Sequence, residues 1–269
     1  MLSKTKSSNN LGIPMRLFDF CSIPYNETDT DYTTTCMWCA TQDKLSVSKE
    51  EGHVFQCWYC KETGNAISLM RKFYETIPPL TMRAAKNFCV IKKGVLPQTL
   101  RSEGVKYDGL DYWFPIRNPR KDIIALHKYN TTTNITYSSP KPWNCSILGL
   151  GSLTGNKEIW VAEGHADYLV LRAILDKSPN PPDLLGTAGS AFSSNYLYLL
   201  DNKEVVLLFD NDEAGDHGVQ SISKRIKSGG HNIINLHCID WSRITVPNHA
   251  HLPSGFDIRD LNNSLSGTP

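Results

Sequence analysis

From Glu158 onward the apolar and polar positions change period in a regular way. "EIWVA" is an apolar run of strand length, "ADYLVLRAILD" carries helical spacing, "DLLG" is a short strand and "SSNYLYLLD" a helix. "EVVLLF" is again a strand, "AGDHGVQSISKRIKSG" a helix and "NIINLHCI" a strand. Strands separated by helices predict a parallel sheet covered by helices, with any site just beyond the carboxyl ends of the strands. The front half is patterned differently. "AISLMRKFY" predicts a helix with Ile67, Met70 and Phe73/Tyr74 on one face, and "TIPPL" at 76–80 breaks it. "TMRAAKNF" predicts a further helix, and "YWFPIRNPRKDIIALHKYN" two strands around a turn at 118–121.

At 269 residues the chain has room for more than one module. No apolar run approaches the roughly 18 residues of a membrane span, and the first 15 residues lack the apolar centre of a signal peptide, so no membrane partner and a cytoplasmic setting are expected. The net charge of +1 is unevenly spread: residues 1–150 hold 19 Lys/Arg against 13 Asp/Glu, residues 151–269 hold 9 against 14. A basic front and an acidic rear suit a nucleic-acid binder whose rear half awaits cations, although solvated faces alone produce such a split.

Four of the eight cysteines fall in two close pairs, Cys36/Cys39 and Cys57/Cys60, with 17 residues between them. Each Cys-x-x-Cys can form a knuckle that aims two thiolates at one ion, and this spacing predicts a closed four-cysteine zinc site. A closed site builds structure, so its function lies in the surface it supports. Around it Trp38, Phe55, Trp58 and Tyr59 stand near Lys44, Lys61, Arg71 and Lys72, a mixture of aromatic faces and cations suited to single strands, although some of these rings must be core.

The rear strands end in carboxylates. Glu163 follows "EIWVA" with Asp167 about one turn into the next helix, and Asp210, Asp212 and Glu213 follow the apolar run Val205 to Phe209. If those strands are neighbours, the carboxylates repel one another unless a divalent cation neutralises them, and oxygen-only ligands suit magnesium or manganese. Asp257 and Asp260 in "SGFDIRDLN" are candidates to join from a loop. Gly164, Gly186, Gly189 and Gly215 permit close backbone approach in the strand-to-helix turns. For any single Asp in such a turn, a helix N-cap is the simpler reading.

These residues resemble the zinc-binding and catalytic regions of bacterial-type DNA primases, including the primase part of phage primase-helicases. Glu163-Gly164 and Asp210-Asn211-Asp212 are similar to the Glu-Gly and Asp-x-Asp motifs of the toprim fold, and "FQCWYCKETGNAISLM" resembles the end of the family's zinc ribbon. The resemblance runs from Thr35 to Leu261. It implies an α/β chain: a toprim-type parallel four-stranded sheet with helices on both faces, preceded by a small β-rich zinc ribbon and a short α+β connecting subdomain. The implied divisions are an N-terminal segment at 1–28, the ribbon at 29–76, the connecting subdomain at 77–156 and the toprim domain at 157–269. Three departures stand out: four cysteines where the family often has a histidine in the first knuckle, a strand at His127-Lys128-Tyr129 that is poor in arginine, and Phe256 where a lysine usually precedes the late acidic motif.

The resemblance implies primer synthesis on single-stranded DNA from nucleoside triphosphates, with one structural zinc and catalytic magnesium or manganese. Glu163, Asp210 and Asp212 are the expected catalytic ligands, with Asp167, Asp257 and Asp260 as further metal ligands. Trp58, Tyr59, Lys61, Arg117, Lys121, Lys128 and Lys141 are the expected contacts to template or nucleotide. A separate replicative helicase is the expected partner, in a bacterial cell or a phage-infected host. Two alternatives use the same residues: a toprim nuclease, and a zinc-ribbon nucleic-acid-binding replication protein without catalysis. A topoisomerase would need a nucleophilic tyrosine in a further domain.

Overall fold

A computed structural model describes residues 13–49, 54–139, 147–187, 192–246 and 252–266. The chain forms two compact units, one comprising 1–78, 108–115 and 123–145, the other 79–107, 116–122 and 146–269. The first opens with helix α1 (Ile13–Cys21), for which the sequence pattern gave no expectation. Strands β1 (Asn26–Glu27), β2 (Asp31–Thr34), β3 (Leu45–Ser48), β4 (Phe55–Cys57) and β5 (Thr63–Gly64) follow as an antiparallel meander in chain order. Burial alternates along β2 to β4, sending Tyr32, Thr34, Leu45, Val47, Phe55 and Cys57 inward. Helix α2 (Ala66–Thr76) begins at Asn65, whose side chain accepts from Ser68 N. It buries Ala66, Leu69, Met70 and Tyr74, so its inner stripe is centred one position before the expected Ile67, which lies at the edge.

The chain then passes into the second unit as α3 (Met82–Ile91), α4 (Pro97–Ser102) and β6 (Lys106–Tyr107). Strands β7 (Asp111–Arg117), β8 (Ile123–Asn130) and β9 (Ile135–Ser138) lie in that order, and the expected turn is present, with Lys121 N donating to Asn118 O at 2.8 Å. The third strand, β9, is exposed along its whole length, which removes the apolar signal that marks the other two.

The second unit contains a five-stranded sheet in the order β10-β12-β11-β13-β14. Strands β11 (Glu158–Ala162), β12 (Asp183–Thr187), β13 (Glu204–Leu208) and β14 (Asn235–Cys238) are parallel and are the four that the alternation predicts. Strand β10 (Ile147–Leu148) adds an antiparallel edge too short to be marked by periodicity. Helix α5 (His165–Leu175) connects β11 to β12 and α6 (Glu213–Ser228) connects β13 to β14, in opposite directions along the sheet. Right-handed crossovers therefore put the two helices on opposite faces and open a crevice between the ends of β11 and β13. The segment expected as a third helix is a 3-10 helix at Ser194–Leu200. Helix α7 (Ile258–Ser266) closes the unit and packs against α5.

Candidate active site and metal centres

The register of the ribbon assembles its cysteines. Thr34 pairs with Leu45 and Leu45 with Cys57, so Cys36, just past the end of β2, arrives beside the second knuckle. All four Sγ atoms lie within 4.8 Å of one another. Cys36 Sγ and Cys60 Sγ are 3.8 Å apart, Cys39 Sγ and Cys57 Sγ 3.7 Å. Four sulfurs held 2.3 Å from a tetrahedral zinc would stand about 3.8 Å from each other, so the set fits that ion. The knuckles are built alike. Ala40 N donates to Cys36 O and Lys61 N to Cys57 O, and both Ala40 and Lys61 turn left-handed, at φ 57° and 65°. Trp38 N and Cys60 N donate to Cys36 Sγ and Cys57 Sγ at 3.4 and 3.5 Å, bonds that favour thiolates. The Thr41 hydroxyl, 3.2 Å from Cys39 Sγ, pulls that thiol down to about 6.

The aromatic residues near the knuckles divide. Phe55 is buried and Trp38 stacks on it at 5.0 Å, whereas Trp58 and Tyr59 are 59% and 70% exposed. An open groove of about 600 Å³ runs past Trp58, lined by Ser46, Gln56, Thr63, Asn65 and Ser68. Those polar residues escaped the sequence reading, although Ser46 and Gln56 occupy the outward positions of alternating strands.

The basic candidates are scattered. Lys61 Nζ donates to Trp58 O at 2.9 Å, and Arg117 Nη1 donates to Lys121 O at 3.0 Å across the β7–β8 turn. Lys128 is turned inward: its ammonium donates to Phe20 O at 2.8 Å, pairs with Asp111 at 3.7 Å and lies 5.2 and 5.4 Å from the ring centres of Phe20 and Trp113. Its side chain is 14% exposed, and its charge is met within its own unit. Lys141 and Gly189 lie outside the described residues.

In the second unit, β11 and β13 are neighbours with Ala162 opposite Leu208, so Glu163 emerges beside Phe209 and Asp210. Glu163 Oε2 accepts from Asp210 N at 3.2 Å. Asp212 caps α6, its Oδ1 accepting from Gly215 N at 2.8 Å, the simpler role open to an Asp in such a turn. Gly215 is required here because a Cβ at that position would come within 2.2 Å of Asp210 O. Gly164 lies at φ 92°, a conformation few other residues adopt, and starts α5 so that Asp167 falls in its first turn.

The third arm comes from farther along the chain. Asn211 and Phe256 form an isolated antiparallel bridge, with Asn211 N donating to Phe256 O and Gly255 N to Asn211 O. Phe256, at the position where the resemblance leads one to expect lysine, is buried with its ring 5.7 Å from that of Trp241. The bridge delivers Asp257, and one carboxylate oxygen from each of Asp167, Asp210 and Asp257 lies within 4.8 Å of the others. Trans oxygens around magnesium are separated by about 4.2 Å, so a small hard cation fits this donor set. Asp260 is exposed, and its N–H caps back onto Asp257 Oδ1 at 2.8 Å.

The electrostatics of the cluster are unbalanced. Burial and the charges of Asp167, Glu163, Asp257 and Asp212 push Asp210 up to about 8. Burial raises Asp167 to about 7 despite Arg259, and burial also raises Glu163. By contrast Asp183, equally buried, accepts from Thr154 N, Thr154 Oγ1 and Gly155 N and so serves structure. Arg259 was not singled out from the sequence. Its Nε donates to Asp167 Oδ1 at 3.3 Å and its Nη2 to Asp257 Oδ2. No spacing rule marks an arginine two residues after an Asp as part of such a site.

Known proteins share this fold. Residues 160–244 match a family model described as Toprim-like. The chain is similar to the zinc-binding and RNA polymerase domains of the Aquifex aeolicus primase, at 15% identity and TM-score 0.50, covering 96% of this chain and 82% of that one. The E. coli primase catalytic core matches at 15% identity and TM-score 0.54, over 75% of this chain and 78% of that one. A DnaG primase catalytic domain solved with single-stranded DNA matches at 14% identity and TM-score 0.54, over 75% and 77%. The chain has the fold of a bacterial-type primase. Its toprim module is the second unit's parallel sheet, and its four-cysteine cluster sits in the ribbon as it would in a zinc ribbon. No helix among the described residues is long and apolar enough to cross a membrane.

Proposed function

We propose that this protein is a DNA primase that makes short primers on single-stranded DNA by divalent-metal-dependent nucleotidyl transfer. The observation that carries the reading is the convergence of Glu163, Asp167, Asp210, Asp212 and Asp257 on the crevice between β11 and β13. Magnesium or manganese held there would lower the charge barrier between a 3′-hydroxyl and the α-phosphate of a nucleoside triphosphate and stabilise the departing pyrophosphate. The protein's part is to hold oxygen donors in place. Asp210 with Glu163 and Asp212 offers the principal donors, each of the latter two keeping one oxygen outside its backbone N–H bond, while Asp167 and Asp257 complete the carboxylate cluster around Asp210. Cys36, Cys39, Cys57 and Cys60 hold one structural zinc. The ribbon meets template through Trp58, Tyr59 and Lys61, and Arg117, Lys121 and Lys141 meet phosphates.

In this reading the ribbon at 29–76, the connecting subdomain at 77–156 and the toprim domain at 157–269 divide the work into template capture, support and chemistry. The protein acts in the cytoplasm of a bacterium or an infected host beside a separate helicase. The test is incubation with single-stranded DNA, nucleoside triphosphates and magnesium. New short oligomers are expected; shortened template without new oligomers would instead identify a nuclease built from the same carboxylates.

A further inference from the structure

The carboxylate cluster already contains a cation. Arg259, one residue into α7 beyond Ile258, spreads its guanidinium across two of the three inner carboxylates, Nε to Asp167 Oδ1 and Nη2 to Asp257 Oδ2. Neither of these two bonds goes to Asp210, the third member. The other oxygen of Asp257 is engaged as well, accepting from Asp260 N at 2.8 Å, so both oxygens of that carboxylate are taken by its own helix. On the opposite flank the situation differs: Glu163 and Asp212 each accept one backbone N–H through one oxygen, which leaves the second oxygen of each outside that bond.

The chemistry of the two flanks is therefore unequal. A guanidinium remains charged at any working pH and is only weakly hydrated, so it is a permanent counter-ion rather than one that dissociates. A divalent ion seeking Asp167 Oδ1 and Asp257 Oδ2 would have to displace two charge-assisted hydrogen bonds. One seeking Asp210 and the remaining oxygens of Asp167, Glu163 and Asp212 would displace none of them. We propose that Arg259 is the resident cation of the Asp167–Asp257 flank and confines the site to a single divalent ion, held on the Asp210 side. The inference rests on the carboxylate cluster being a divalent-cation site, and it makes Arg259 a positioning residue that acts through Asp167 and Asp257.

The experiment counts ions rather than products. Zinc-loaded full-length protein is titrated with Mn2+, and free Mn2+ is followed by its electron paramagnetic resonance signal. Wild type is expected to bind one Mn2+ that is lost in Asp210→Asn. Arg259→Gln, neutral and similar in reach, is expected to bind two, and Arg259→Lys, which restores the charge, one. Two ions on the wild type overturn the proposal without reference to any variant, which keeps it open to refutation even if Arg259→Gln misfolds. An unchanged count of one in a folded Arg259→Gln overturns it while leaving the cation site in place. No Mn2+ bound by the wild type removes the cation site itself and this proposal with it.

Discussion

Asp210 is held in a place that disfavours its charge: burial and four neighbouring carboxylates push it up to about 8, and Asp167 reaches about 7 beside it. Both values lie above those of an unfolded chain, so between about pH 4 and 8 the folded protein binds more protons than the unfolded one. Its stability without divalent cation should therefore be greatest near the acid end of that range, fall as pH rises toward 8, and level off above. Magnesium should flatten the profile by favouring the carboxylates; thermal melts at pH 5 to 8.5 with and without magnesium check this, and equal profiles would count against a cation site. Asp210→Asn should nearly abolish primer synthesis with the fold intact and, above about pH 8 where Asp210 would carry its charge, slightly more stable, because the amide removes like-charge crowding. Asp212→Asn should also lose synthesis yet keep α6, since asparagine is as good an N-cap as aspartate. Circular dichroism and a primer gel on the same preparations separate the two effects.

Among elements, the ribbon and the strand-to-helix turn after β13 depend on different supports. The ribbon's knuckles end on non-glycine residues in left-handed conformation, Ala40 and Lys61, a local cost that zinc would offset. Zinc removal is expected to unfold the ribbon while the parallel sheet retains its protection in hydrogen exchange. Protein purified without chelator that contains no zinc would refute the structural ion. The turn at Asp210 to Gly215 depends on the missing side chain of Gly215. Gly215→Ala should destabilise by roughly 1–3 kcal/mol, because the backbone of Asp210 must move to admit the methyl group. Urea midpoints report that change, and a neutral result would mean that the turn relaxes freely.

For the whole molecule, the primase reading assigns template capture and chemistry to different units, so the two should separate experimentally. Trp58→Ala or Tyr59→Ala should weaken single-strand binding by about 1 to 3 kcal/mol if a base stacks on the ring. The same substitutions should leave Mn2+ binding unchanged, and the carboxylate variants should leave single-strand binding unchanged. Fluorescence anisotropy with a labelled oligonucleotide measures the first and ion titration the second. Loss of both properties in one variant would point to global unfolding rather than to a division of labour.

The sequence by itself determined whatever depends on near neighbours in the chain. Two Cys-x-x-Cys pairs announce a zinc site because each pair closes its own knuckle, and β11 to β13 are readable because a buried parallel strand needs an apolar run. The positions of Glu163, Asp167, Asp210 and Asp212 follow from where those runs stop. Tertiary structure decided which carboxylates meet. Asp257 joins Asp167 and Asp210 only because Asn211 bridges Phe256, a contact across 45 positions that no periodicity encodes. The same folding brings Arg259 onto two carboxylates and turns Lys128 inward among aromatic rings, leaving its side chain 14% exposed. Backbone geometry gives elements a period that a sequence must obey, whereas the path of a loop is chosen by the packing at its two ends, and side-chain encounters between distant segments are settled there.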